Sequence, residues 1–156
     1  MRLFSQKAAL LVLASFFACH NPTEPQGIDA MFVLESVNNQ PLPVDFTITP
    51  AQTVSIVSAT LELMRSGKAV MTEQRHEVYQ GVSSDPAYTS VADYRINGQQ
   101  IEIGSFKPCP PGALCVANRF GTISDLTLNL TVGQIAPSTE VVYNFQRKLP
   151  AAVGQQ

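Results

Sequence analysis

The sequence predicts an all-β fold: an antiparallel meander of eight to ten short strands that closes into a small barrel, with a two-sheet sandwich as the alternative. Three observations carry this. Apolar and polar residues alternate in segment after segment, as in Leu61/Leu63, Ile101/Ile103 and Leu126/Leu128/Leu130, a period of two that buries one face of a strand and wets the other. Turn residues punctuate these segments at hairpin spacing: Asn38-Asn39, Arg65-Ser66-Gly67-Lys68 and Asn97-Gly98. Beyond the first 18 residues, no window carries a convincing apolar stripe at the helical period. A meander this long leaves exposed edges unless it closes or splits into two layers.

The elements follow in order. Ala30 to Val37 is rich in β-formers and stops at Asn38-Asn39, which tolerate positive φ in a tight turn. Pro41 to Phe46 returns as an edge strand, because its two prolines forbid a central position. Ser55 to Leu63 reads as a strand, a small turn and a return strand; Tyr94 to Ile103 repeats the scheme around Asn97-Gly98, and Gly121 to Leu130 repeats it again. Their uneven spacing makes a meander rather than a solenoid. Between them, Ala69 to Tyr79 is a longer strand, Gly81 to Pro86 a loop, and Tyr88 to Ile96 the lead into the second hairpin. Glu140 to Lys148 closes the sheet, and residues 149–156 form a disordered tail.

The first 18 residues have the layout of a secretory signal: a basic start with Arg2 and Lys7, then an apolar run from Ala8 to Ala18. That run is about half the length a membrane-spanning helix needs. Ala18 stands directly before Cys19. Leader and cysteine together resemble those of bacterial lipoproteins, and the resemblance implies that Cys19 becomes the acylated N-terminus of the mature chain. His20, rather than Asp, follows it, which in Gram-negative families implies the outer membrane. Without acylation, the same leader gives a secreted or periplasmic soluble protein. Residues 19–27 are polar and broken by prolines, a tether of at most about 25 Å. The domain at 28–148, from the Ser36–Pro43 turn region to Val142–Arg147, resembles the small β-domains of such lipoproteins and implies a lipocalin-like barrel.

Removing the leader leaves one ordinary domain, large enough to bury a core without a metal. A formal charge of −2 with 14% charged residues offers no basic field for nucleic acid. With Cys19 assigned to the lipid, Cys109 and Cys115 are expected to pair as a disulfide in an oxidising compartment. So short a loop gains about 2 kcal/mol from the bridge. As half of a zinc site the two cysteines would need further ligands, and His20 and His76 are the only histidines.

Chemistry is sparse. His76 lies in the polar run Thr72–Glu77, where alternation puts Glu73, Arg75 and Glu77 on one face and His76 with Gln74 and Val78 on the other. A general base there needs a distant carboxylate; a satisfied polar side chain is the simpler reading. Ser83-Ser84-Asp85-Pro86 is turn chemistry, and Glu62 and Glu102 occupy equivalent, solvent-facing strand positions. No nucleophile elbow, metal-binding His pair or phosphate loop is present, so no catalytic residue, metal or cofactor is expected. Two binding features remain. Aromatics from Phe32 to Phe145 fill the core or line a cavity for an apolar ligand. The stapled loop offers Pro110, Pro111 and Leu114 as a rigid surface for a partner. The expectation is a non-enzymatic, lipid-anchored envelope module that binds a small apolar ligand or a protein. The alternative is an assembly accessory that pairs with another envelope protein through a strand edge such as Val44–Phe46.

Overall fold

The computed structural model describes residues 27–108, 118–136 and 139–149. The cysteines, the leader, the tether up to Gln26 and the candidate loop residues Pro110, Pro111 and Leu114 lie outside them, as does the tail from Pro150. The described chain forms β1 (Ala30–Val37), β2 (Gln40–Pro41), β3 (Val44–Thr49), β4 (Gln52–Leu63), β5 (Lys68–Tyr79), β6 (Val82–Ser84), β7 (Ala87–Asn97), β8 (Gln100–Gly104), β9 (Arg119–Ile123), β10 (Thr127–Ala136) and β11 (Thr139–Arg147). All pairings are antiparallel.

Eight of these strands close on themselves in the order β1-β11-β10-β9-β8-β7-β5-β4, and β4 returns to β1 through Thr60–Leu63 against Ala30–Val33. That last pairing decides between barrel and sandwich, because it removes the edges a sandwich would retain. The fold is a small antiparallel barrel of the lipocalin-like kind, with β2, β3 and β6 as additions outside the ring.

Three local expectations are corrected. Ser55 to Leu63 contains no turn: it belongs to one twelve-residue strand, β4, paired along its length with β5. Pro41 to Phe46 is not a single return strand. Only Gln40–Pro41 pairs with β1; the chain then turns at Leu42-Pro43, a cis peptide, and β3 pairs with β4. Gly81 to Pro86 is more than a loop. Gln80 and Gly81, with φ of 50° and 79°, make a two-residue turn that lays β6 back on the end of β5.

The expected Asn38-Asn39 turn is present, with φ of 50° and 63°. In the second hairpin, Asn97 pairs with Gln100, so the two-residue loop is Gly98-Gln99 with glycine first. Gly98 has a φ of 61°, which a side chain at that position resists.

Inward side chains form one continuous core. Leu128, Leu130, Val141, Ile56 and Val37 are fully buried, joined by Phe32, Leu61, Tyr143 and Phe145. Each large apolar side chain so buried contributes roughly 1.5–3 kcal/mol. Bulges adjust the alternation, among them one between Leu34 and Ser36 and one between Ile56 and Ser58. Each adds a residue and shifts the phase, so Val37 and Ala59 still point inward.

One end of the barrel is pinned where the described chain begins. The Tyr94 hydroxyl accepts the Ile28 amide at 2.7 Å and donates to the Met64 carbonyl at 2.9 Å. Burial pushes the Tyr94 phenol above its ordinary value, against the opposing amide hydrogen bond from Ile28. Asp29 accepts the Arg65 amide at 2.9 Å and pairs with its guanidinium at 2.8 Å. Gly27 passes so close that a Cβ would lie 2.2 Å from the Arg65 carbonyl oxygen.

Candidate functional site

Two features of the barrel carry unusual chemistry: a charged cluster in the lumen and a pocket in the flank. Both follow from the inward register of β5. Ala69 and Met71 point inward, and alternation therefore sends Glu73, Arg75 and Glu77 inward after them.

Glu73 is 2% exposed, the one buried charged residue among those described. It is fully engaged. Arg75 donates to one carboxylate oxygen and Tyr143 donates to the other, reaching from β11 across the lumen. Burial pushes the Tyr143 phenol far above its ordinary value, and the adjacent Glu73 charge adds to this. Burial works against the Arg75 charge, but the hydrogen bond and attraction of Glu73 outweigh it and raise the pKa. Toward solvent, the Arg75 guanidinium lies 4.7 Å from the centre of the Tyr88 ring, whose hydroxyl donates to Glu77 at 2.9 Å. The hydrogen bond to Glu77 is the main reason the Tyr88 phenol is raised. No buried side-chain polar atom among the described residues lacks a partner. A cluster satisfied in this way orients strands across the barrel; its polar groups already have partners.

The flank pocket is different. It has a volume of about 420 Å³, within the range of small-molecule sites. Its wall is apolar, built from Leu61, Ala69, Met71, Ala92 and Ile103, and small side chains on β5 and β7 leave the room. Ser90, Gly104, Ser105 and Arg119 supply polarity, and Lys68 and Asp93 pair with each other at the rim. β8 ends at Gly104, opposite Asp93, so the Ala87–Ala92 half of β7 pairs only with β5 among the described residues. The pocket lies beside that interrupted ladder. Asn118 secures its border, donating to Glu102 at 2.6 Å while its oxygen accepts the Ser105 amide at 3.1 Å. A Cβ on Gly104 would lie 2.0 Å from that same oxygen.

The other sequence candidates separate. His76 faces outward, with Nδ1 2.6 Å from Asp85 Oδ1; the side chains are 41% and 72% exposed. Ser55 is its cross-strand neighbour, but no hydrogen bond joins the two. The pair lies on an exposed surface of the β5–β6 ribbon. Glu62 and Glu102 sit on different strands, β4 and β8, and do not form a site. Among the described residues no three His, Cys, Asp or Glu side chains gather as metal ligands. Of the aromatics assigned to core or cavity, Phe32, Phe46, Tyr94, Tyr143 and Phe145 are buried. Tyr79, Tyr88 and Phe120 are not: all three are exposed. Val44 and Phe46 point into the barrel, so β3 offers only main chain at its outer edge.

Sequence reasoning missed Glu73 and Arg119. Counting by twos from Ala69 reaches Glu73, and counting back from Ile123 reaches Arg119; in both cases alternation was the available signal. No family model matches this chain, and neither a curated protein nor a solved structure matches it.

Proposed function

We propose that this protein is a lipid-anchored cell-envelope domain that binds a small, predominantly apolar molecule in the flank pocket between β5, β7 and β9. The observation that carries this reading is the pocket itself: about 420 Å³, with an aliphatic wall of Leu61, Ala69, Met71, Ala92 and Ile103. Pockets of that kind bury most of a small ligand and use few polar groups to orient it. The anchor rests on the leader and on Cys19. Two or more acyl chains would hold the domain at the membrane, since each buried methylene adds about 0.8 kcal/mol.

The test uses the dye N-phenyl-1-naphthylamine, whose emission rises in apolar surroundings. Saturable binding is expected, and Ala92→Phe, which fills the pocket, is expected to abolish it while the variant stays folded. Unchanged binding in that variant overturns the pocket assignment. The mass of the mature N-terminus tests the anchor: a diacyl or triacyl adduct on Cys19 supports it, and a free thiol refutes it.

A second reading, assembly through a strand edge, is favoured by one observation. Among the described residues, β3 pairs with β4 alone, leaving its other side open. Photocrosslinking from Asp45 in cells is then expected to capture one dominant envelope protein, and a diffuse pattern counts against it.

A further inference from the structure

The flank pocket contains a charge whose placement reverses the ordinary pattern of a strand. Ile103 faces the lumen and is 4% exposed, and Arg119 is its direct partner across the β8–β9 ladder. Paired residues share a face, so Arg119 points inward. Phe120, next in sequence, points outward and is 59% exposed. Exchanging the two would satisfy the hydrophobic pattern. The strand instead presents its cation to the barrel and its ring to water, and such departures from local rules concentrate at functional sites.

Among the described residues the guanidinium has no carboxylate partner. Its Nη1 lies 3.5 Å from the Met71 sulfur, a weak acceptor, and no ion pair involves it among the described residues. The surrounding charges are already committed. Lys68 holds Asp93, Arg75 holds Glu73, and Glu102, on the outer face of β8, accepts from Asn118. Arg119 is therefore the cation left over where the pocket wall is aliphatic. A partly desolvated guanidinium is stabilised by an anion that can meet its fork with two parallel hydrogen bonds.

From this geometry, and resting on the reading of the pocket as a ligand site, we propose that the bound molecule is a monocarboxylate amphiphile. Its apolar body would lie against Met71, Ala69, Ala92 and Ile103, and its carboxylate would pair with Arg119. Ser90 and Ser105 are the hydroxyls available on the same pocket wall.

The experiment compares two probes that share one apolar body: 11-(dansylamino)undecanoic acid and its uncharged methyl ester. Each is titrated into the intact mature protein and into the Arg119→Gln and Arg119→Lys variants, whose folding is checked by thermal unfolding. The acid is expected to bind the native protein at least about tenfold more tightly than the ester, a difference of about 1.4 kcal/mol. Arg119→Gln is expected to erase that difference by weakening the acid alone. Arg119→Lys is expected to restore part of it, because a point charge keeps the attraction without the fork. Equal binding of acid and ester by the native protein overturns the proposal while leaving the pocket reading intact. Saturable binding of neither probe overturns both. The native comparison requires no variant, so the test stands even if a substitution at position 119 prevents folding.

Discussion

Replacing Tyr143 with Phe removes one oxygen from the middle of the barrel and leaves its shape unchanged. In the native chain that hydroxyl donates to Glu73, whose side chain is 3% exposed and which is otherwise held by Arg75. Phe leaves one oxygen of a buried carboxylate without a partner. Hydrogen bonds to charged groups contribute about 1.5–3 kcal/mol, and a loss near 2 kcal/mol is expected here. In a domain of this length that lowers Tm by about 6–10 °C. The pH dependence supplies a second, independent reading. The Tyr143 pKa is raised in the folded state, so the phenol keeps its proton where the unfolded chain releases it. Stability from this group is complete below about pH 10, the ordinary tyrosine value, and falls above it by about 1.4 kcal/mol per pH unit. The Phe variant lacks that descent; Tyr88 and Tyr94 are present in both proteins and cancel in the comparison. The two stability curves should therefore start about 2 kcal/mol apart at pH 7 and draw together as the pH rises above about 10. Urea unfolding followed by circular dichroism across this range measures both. A variant within about 0.5 kcal/mol of native at pH 7, or curves that stay parallel above about pH 10, refutes the cross-lumen bond.

Three further perturbations have defined outcomes. Gly104→Ala drives a Cβ into Asn118 and displaces the bonds to Ser105 and Glu102; a loss of about 1–3 kcal/mol in urea and weaker dye binding in the flank pocket are expected together. Leu128→Ala empties a fully buried site near the start of β10, and a cost of about 2–5 kcal/mol should appear as a lower urea midpoint with an unchanged slope. His76→Ala breaks only the exposed pair with Asp85, so stability should move by less than about 0.5 kcal/mol, measured by thermal unfolding.

The fold was legible where local chemistry and the global pattern agree. Asn38-Asn39 adopts the positive φ its residues tolerate, and the alternation in Ile101/Ile103 and Leu128/Leu130 matches their burial. It was not legible where a bulge shifts the phase, because nothing in Glu35 or Val57 announces an extra residue. Nor did the prolines around Leu42 say which neighbour β3 would take, since that follows from β1 and β4 diverging beyond Val33 and Thr60. The candidate site was less visible. Glu73 looked like part of a wet strand because its partner Tyr143 lies 70 residues away. Phe120 looked like core because hydrophobicity was weighed ahead of parity. The pocket itself arises from an absence of bulk at Ala69, Ser90 and Ala92, and from β8 ending early, which no single residue encodes.

The clamp at the start of the barrel has a mechanical meaning. A pull on the chain at Gly27 first meets the Tyr94 hydroxyl and the Asp29–Arg65 pair, then runs along β1. That strand is laced to β4 on one side and to β11 on the other. Force in this direction loads both ladders in shear, so many hydrogen bonds must yield together rather than one after another. Pulling from Arg147 also loads a strand with neighbours on two sides, β1 and β10, and meets the main-chain bonds of Arg147 to Leu126 and of Lys148 to Met31 in place of the Tyr94 and Asp29 fastenings. The domain is therefore braced against tension from its N-terminal side, the side where a membrane tether would draw on it.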